Sequence, residues 1–247
     1  MKKDVKKWWE NSSKEYQEYC KIPIDIHYGP GSPNEQHYKL LGNLKGKNVL
    51  EMGCGGAQCS IAMAKQGAKV IGVDISKEQL KFAKELAKKN KVNITFYERD
   101  FNNLSIIKSN SQDIVFSAWA FQYAENLFKI FKEAYRVLKN KGIFIFSLDH
   151  PFYRTLNRKT LKLEQSYFDS GKFVTNYSRG KFVMYNRMIS DLFNNLIKVG
   201  FYVERIIEPD SRKKYPYDPW YNKWELYTPK MMKHIPPTII FKARKIK

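Results

Sequence analysis

The chain has 247 residues, enough for one α/β core with insertions; 43% are hydrophobic, with no low-complexity tract and no repeat of fixed period. With 44 Lys+Arg against 24 Asp+Glu it carries a formal +20, which suits RNA, DNA, anionic surfaces or acidic small molecules as partners and equally fits a lysine-rich proteome. No apolar run approaches a membrane span, none follows the basic opening residues as in a signal peptide, and Cys20, Cys54 and Cys59 make no disulfide framework, so a cytoplasmic address is expected.

Residues 1–20 read as an amphipathic helix with Val5, Trp8, Trp9, Tyr16 and Tyr19 as its apolar positions, and Ile26–Glu35 as a Gly- and Pro-rich loop. A regular alternation follows. "NVLEM" is a strand, "SIAMAKQG" a helix stopped at Gly67, and "KVIGVD" a second strand. Ser76 and Gln79 form a capping box opening a helix whose face includes Leu80, Ala83 and Ala87. "NITFYERD" and "QDIVFSAWA" are the third and fourth strands. A helix over Asn126–Lys139 with one apolar stripe leads to a fifth strand, "GIFIFSL". Irregular sequence runs from Asp149 to about Met184. "MISDLFNNLIKVG" then reads as helix, "FYVERIIEP" as strand, 210–236 as a second irregular insertion and "TIIFKARK" as a closing strand. Strands alternating with helices at this pitch imply a mostly parallel sheet covered on both faces, and the continuous runs "VIGV" and "IFIF" fit buried parallel strands.

The first strand-to-helix turn, "VLEMGCGGAQCS", sits where an open parallel sheet binds its ligand. It is not a dinucleotide loop, because Gln58 replaces the third glycine, nor a P-loop, because no Gly-Lys-Ser/Thr follows. Glu51 at the strand's end disfavours a phosphate and suits an ammonium or sulfonium, while Gly53 and Gly55 let the backbone approach closely. The loop resembles the first motif of the class I S-adenosylmethionine (SAM)-dependent methyltransferases, in the methyltransferase type 11 and ubiquinone/menaquinone methyltransferase-like group, with Ala57 in place of the last glycine. That departure puts a glycine-only backbone conformation at position 57 in question.

The resemblance continues in register over residues 45–148 and 186–245. It implies a Rossmann-like, seven-stranded mixed sheet with helices on both faces, an N-terminal helix and two lid insertions. It also implies a single domain: an N-terminal cap over 1–44, a cofactor-binding half over 45–148, an insertion over 149–185, and a C-terminal helix and hairpin over 186–247 that carries the 210–236 insertion. By resemblance Asp74, with Ile75 and Gln79 beside it, takes the ribose hydroxyls, although dinucleotide enzymes place an acid similarly. Asp100 and Phe101 recognise adenine, Ala118 at the end of the fourth strand contacts the cofactor, and Cys54 faces the ligand through its backbone. Tyr16, His27 and Tyr28 fold over the methionine end of the donor, or are simply a packed helix and turn. The implied cofactor is SAM, with S-adenosylhomocysteine (SAH) as product.

The acceptor side is less determined, because methyl transfer from a sulfonium asks mainly for alignment and desolvation. His150 in "SLDHPFYR" and Tyr28 are the candidate catalytic groups, His150 being either a base near neutral pKa or a loop histidine tied to backbone or Asp149. Trp119, Phe121 and Tyr153 are candidate substrate contacts, with core packing the competing reading for the first two. Arg187 meets an anionic substrate or lies on the surface. Neither Cys54 nor Cys59 shows metal-ligand spacing, so no metal is expected. The stretch "YPYDPWYNKWELY" makes an apolar acceptor pocket, a base-stacking surface, a homodimer contact or a plug on its own sheet. A small molecule methylated at N or O is the favoured acceptor. RNA, a SAM-binding protein without turnover, and an NAD-dependent oxidoreductase are the alternatives.

Overall fold

Strands buried on both faces must be apolar throughout, and the chain supplies such runs between amphipathic helices. The computed structural model describes residues 2–157, 159–212 and 228–247. The elements are α1 (Lys2–Cys20), the short α2 (Glu35–Tyr38), β1 (Asn48–Met52), α3 (Gln58–Lys65), β2 (Lys69–Asp74), α4 (Lys77–Lys89), β3 (Ile94–Glu98) and β4 (Gln112–Ala118). There follow α5 (Leu127–Val137), β5 (Leu138–Asp149), β6 (Gly171–Tyr177), β7 (Gly180–Asn186), α6 (Ile189–Val199), β8 (Phe201–Ile207), the short α7 (Pro229–Met232) and β9 (Thr238–Lys245).

The expected seven-stranded mixed sheet has the order β3-β2-β1-β4-β5-β9-β8, with β9 antiparallel to both of its neighbours and the first five strands parallel. The order reverses between β1 and β4, so the loops after those strands diverge and leave a crevice at their carboxyl ends. One face of the sheet is sealed by Phe131 of α5 and Leu192 and Leu196 of α6, which share a core with Phe144 and Phe146 of β5. The other is sealed by Cys59 and Met63 of α3 with Ile26, Leu40, Leu41 and Leu44 of the N-terminal cap. Helices on both faces leave only the strand ends for a ligand.

Several local expectations are corrected. The fifth helix stops at Val137, two residues before the expected Lys139, because β5 already begins at Leu138; Asn126 caps its start by accepting Lys129 N at 3.0 Å. The capping box on α4 is half made: Ser76 Oγ accepts Gln79 N at 3.3 Å, but Ser76 N donates to Asp74 Oδ1, leaving the Gln79 side chain free for another partner. Tyr19 of α1 is exposed rather than packed. The first insertion is not irregular throughout. Residues 171–186 form the antiparallel hairpin β6–β7, and Trp8 of α1 packs on its Tyr177 and Phe182 at ring distances of 5.3 and 5.0 Å. The aromatic stretch 215–227 lies outside the described residues. No helix among the described residues is long and apolar enough to cross a membrane.

Candidate functional site

The turn after β1 is built from residues with unusual backbones. Gly53 has φ +75, and a Cβ there would stand 2.4 Å from the Ala120 Cβ, so both conformation and space require glycine. Its N–H and that of Cys54 donate to Val73 O at 2.8 and 3.0 Å, tying the turn to β2. Ala57 sits left-handed at φ 63, ψ 25, immediately before α3. The conformation is therefore one that favours glycine, and alanine holds it at a cost of about 1–2 kcal/mol while its methyl packs against Ile61, Ala83 and Ala87.

Two buried carboxyl groups end the adjacent strands. Glu51 on β1 is 3% exposed and accepts the Ser60 hydroxyl. Burial raises its pKa to about 8, with Asp74 adding to the rise and the Ser60 bond opposing it. Asp74 on β2 accepts Gly55 N and Ser76 N, each at 2.9 Å, and burial raises its pKa despite those bonds. A carboxylate has about four acceptor sites, so the backbone N–H groups of Gly55, Ser76 and Ile75 leave room for a further donor.

A cavity of about 110 Å³ opens between these strand ends and α1. Of the residues predicted to hold the cofactor, Tyr16, His27, Glu51, Gly53, Cys54, Gly55, Asp74, Ile75, Gln79, Phe101 and Ala118 all line it, as does Trp119 from the substrate set. Asp100 lines an adjoining cleft of about 490 Å³ that shares Val5, Ile75, Phe101 and Tyr123 with the cavity; its Oδ1 accepts Asn102 N at 2.8 Å. Burial lowers the His27 pKa to about 4, so its ring is neutral at physiological pH. Trp119 follows β4 with φ 56, a left-handed backbone that costs a bulky residue about 1–3 kcal/mol. Its indole N–H donates to Thr238 Oγ1 at 3.0 Å, and its ring lies where a Cβ on Gly29 would be.

The remaining predicted residues lie elsewhere. Tyr28 is fully buried beside Phe116 and Tyr38; its hydroxyl donates to Glu35, whose carboxylate also accepts Leu40 N and Leu41 N at 3.0 and 2.6 Å. That bond and burial raise its pKa, and the ring braces the cap rather than facing the cavity. Phe121 is fully buried among Phe101, Phe131, Phe144 and Phe146. Tyr153 packs with Met231 and Met232. Arg187 spends its guanidinium on the carbonyls of Ala124 and Tyr185, and burial lowers its pKa to about 10. His150 lines a separate cavity of about 630 Å³, with Nε2 2.7 Å from Glu208 Oε1. Phe152 N donates to its Nδ1, which makes Nε2–H the donor to Glu208; burial lowers its pKa against the pull of that carboxylate.

Sequence reasoning missed several cavity residues. Gln17 of α1 donates to Gln79 Oε1 at 2.8 Å and accepts Gln58 Nε2 at 2.7 Å, so three buried glutamines join the cap to the loop and to α4. A Cβ on Gly56 would meet the Gln17 amide at 2.6 Å. Trp9 and Tyr123 also line the cavity. The stripe on α1 flagged Trp9 as buried, but nothing local says what it covers. The three cysteines are buried thiols, and no cluster of metal-ligating residues occurs among the described residues.

A family model described as a methyltransferase domain matches residues 43–177. An uncharacterized protein of Haemophilus influenzae is 30% identical over 94% of this chain and 93% of its own length. The ubiquinone biosynthesis O-methyltransferase of Pelagibacter ubique is 30% identical over 65% of this chain and 63% of that enzyme, less than two thirds of its length. Among solved structures, a SAM-dependent methyltransferase of Mesorhizobium loti superposes with a TM-score of 0.68 at 24% identity, covering 84% of this chain and 94% of that one.

Proposed function

Because the chain belongs to the methyltransferase-domain family and is a SAM-dependent methyltransferase, we propose that the cavity at the carboxyl ends of β1, β2 and β4 holds the donor for transfer to N or O of a small molecule. The observation that carries the reading is the pair of buried acids at adjacent strand ends, one on each side of a glycine turn. Phosphate would be repelled there; a ligand with a cationic amino-acid end and a ribose is matched twice. Glu51 suits the ammonium end, directly or through water, because a cation there would offset the burial that raises its pKa. Asp74 keeps a lone pair for a ribose hydroxyl. Asp100 and Phe101 in the adjoining cleft suit the adenine amine and ring. The bare backbone at Gly53 and Gly55 permits close approach.

The donor supplies a methyl group already activated on sulfur. The protein's part is to bind, align and exclude water, and α1 laid over the cavity through Gln17, Trp9 and Tyr16 supports that role. Cover of this kind favours an acceptor small enough to enter beneath a helix. The test is transfer of labelled methyl from SAM into a cell extract separated into RNA, protein and small molecules. Label in the small-molecule fraction is the expected result; salt-sensitive labelling of RNA refutes it.

A further inference from the structure

The cavity's electrostatics go further than the donor requires. The chain has 44 Lys and Arg residues, yet among the described residues none lines the cavity, whose carboxyl groups are Glu51 and Asp74. On the same lining, α1 and the segment after β4 bring three rings together. Trp9 stands 5.2 Å from Tyr16 and 5.5 Å from Tyr123, nearly perpendicular to both at 88° and 85°. Trp119 adds a fourth aromatic side chain to the wall. Aromatic faces attract onium groups, and among the described residues no lysine or arginine on this lining competes for them.

The lining is also poor in bases. An oxygen acceptor must lose its proton as the C–O bond forms, and the groups at hand are unsuited to take it. His27 is a weak base through burial, Glu51 is taken by the donor's ammonium end in the site described above, Asp74 is engaged by backbone N–H groups, and burial keeps the Tyr123 phenol protonated. His150 lies in the other cavity. An aliphatic amine is mostly ammonium at neutral pH, but its neutral fraction, having left a proton with water before entering, needs no base in the cavity. Its lone pair forms the N–C bond as the C–S bond breaks with its electrons going to sulfur, and the positive charge passes from sulfur to nitrogen. A proton on that nitrogen, if there is one, leaves afterwards to water. The charge in the cavity is the same before and after.

Resting on the donor site described above, we propose that the acceptor is an aliphatic amine, and that Trp9, Tyr16 and Tyr123 form an aromatic corner that receives the onium charge placed on its nitrogen.

The test uses calorimetry on the SAH-loaded protein with choline as the quaternary probe and 3,3-dimethylbutan-1-ol as its neutral isostere. Choline is expected to bind at least about fivefold more tightly than the isostere. Trp9→Leu should lower choline affinity about fivefold and by clearly more than it lowers SAH affinity measured alongside, and Trp9→Phe should restore most of the choline affinity; an equal loss of both affinities overturns the corner. Should Trp9→Leu fail to fold, Tyr123→Leu makes the same comparison. Equal affinities for choline and the isostere, or binding of neither, overturns the amine proposal and leaves the donor site standing if SAH still binds. Failure of the wild type to bind SAH overturns both.

Discussion

The Glu51 carboxyl is expected to act as a proton source when a cationic ligand enters. With a pKa of about 8 it is about 90% protonated at pH 7 in the ligand-free protein. A ligand cation at the end of β1 restores the ionised form, so binding should expel about 0.9 proton at pH 7 and about 0.5 at pH 8, at a work of about 1.4 kcal/mol at the lower pH. Calorimetric titration of SAH in phosphate and in Tris reads this directly, because the buffer that takes the proton adds its own ionisation enthalpy. Glu51→Gln isolates the group: proton release should fall by nearly the wild-type amount, and affinity should drop. The same burial leaves a mark on the free protein. A neutral buried acid contributes stability that is full below about pH 4.5 and is lost as pH rises through about 8, so Glu51→Gln should raise the thermal midpoint more at pH 8 than at pH 5. Buffer-independent enthalpies, or the same release from Glu51→Gln, refute the reasoning.

Gly53→Ala forces a left-handed alanine and a Cβ that meets Ala120 at 2.4 Å, which should cost about 2–5 kcal/mol in urea denaturation and abolish SAH binding; an unchanged midpoint would show that the turn is not constrained as described. Lys245 is buried with Nζ donating to Asn110 Oδ1, Tyr135 O and Leu138 O at 2.7–2.9 Å, satisfying carbonyls at the end of α5. Lys245→Met should therefore cost about 2–4 kcal/mol in the same assay, and a loss under about 0.5 kcal/mol would contradict its role.

Where the chain repeats strand and helix with continuous apolar strands, local pattern and tertiary burial say the same thing, and all seven sheet strands could be read from it. The acids near the ends of β1 and β2 were legible for the same reason: residues at a strand's end are fixed in space by the neighbouring strands. On α1, Tyr16 was placed at the cofactor by resemblance and Trp9 read only as part of an apolar stripe, while Gln17 gave no signal, because what Trp9 and Gln17 cover is set by contacts many residues away. The hairpin β6–β7 escaped notice although "GKFV" opens both of its strands, since its half-exposed residues lack the long apolar runs of the main sheet. His150 follows β5 at the carboxyl end of the parallel strands, but the chain turns there through Phe152 and draws the ring to Glu208. Arg187 reads as a contact to an anionic substrate or as a surface cation, and only the fold brings the Ala124 carbonyl to it.

The claim that the carboxyl ends of β1 and β2 hold the donor is tested most directly by titrating SAH into the wild type and Asp74→Ala, with melting curves to confirm that both are folded. Loss of charge-assisted hydrogen bonds should weaken binding by about 1.5–3 kcal/mol, or about 10- to 150-fold. Equal affinities, or a wild type that binds NAD in preference to SAH, would contradict the account.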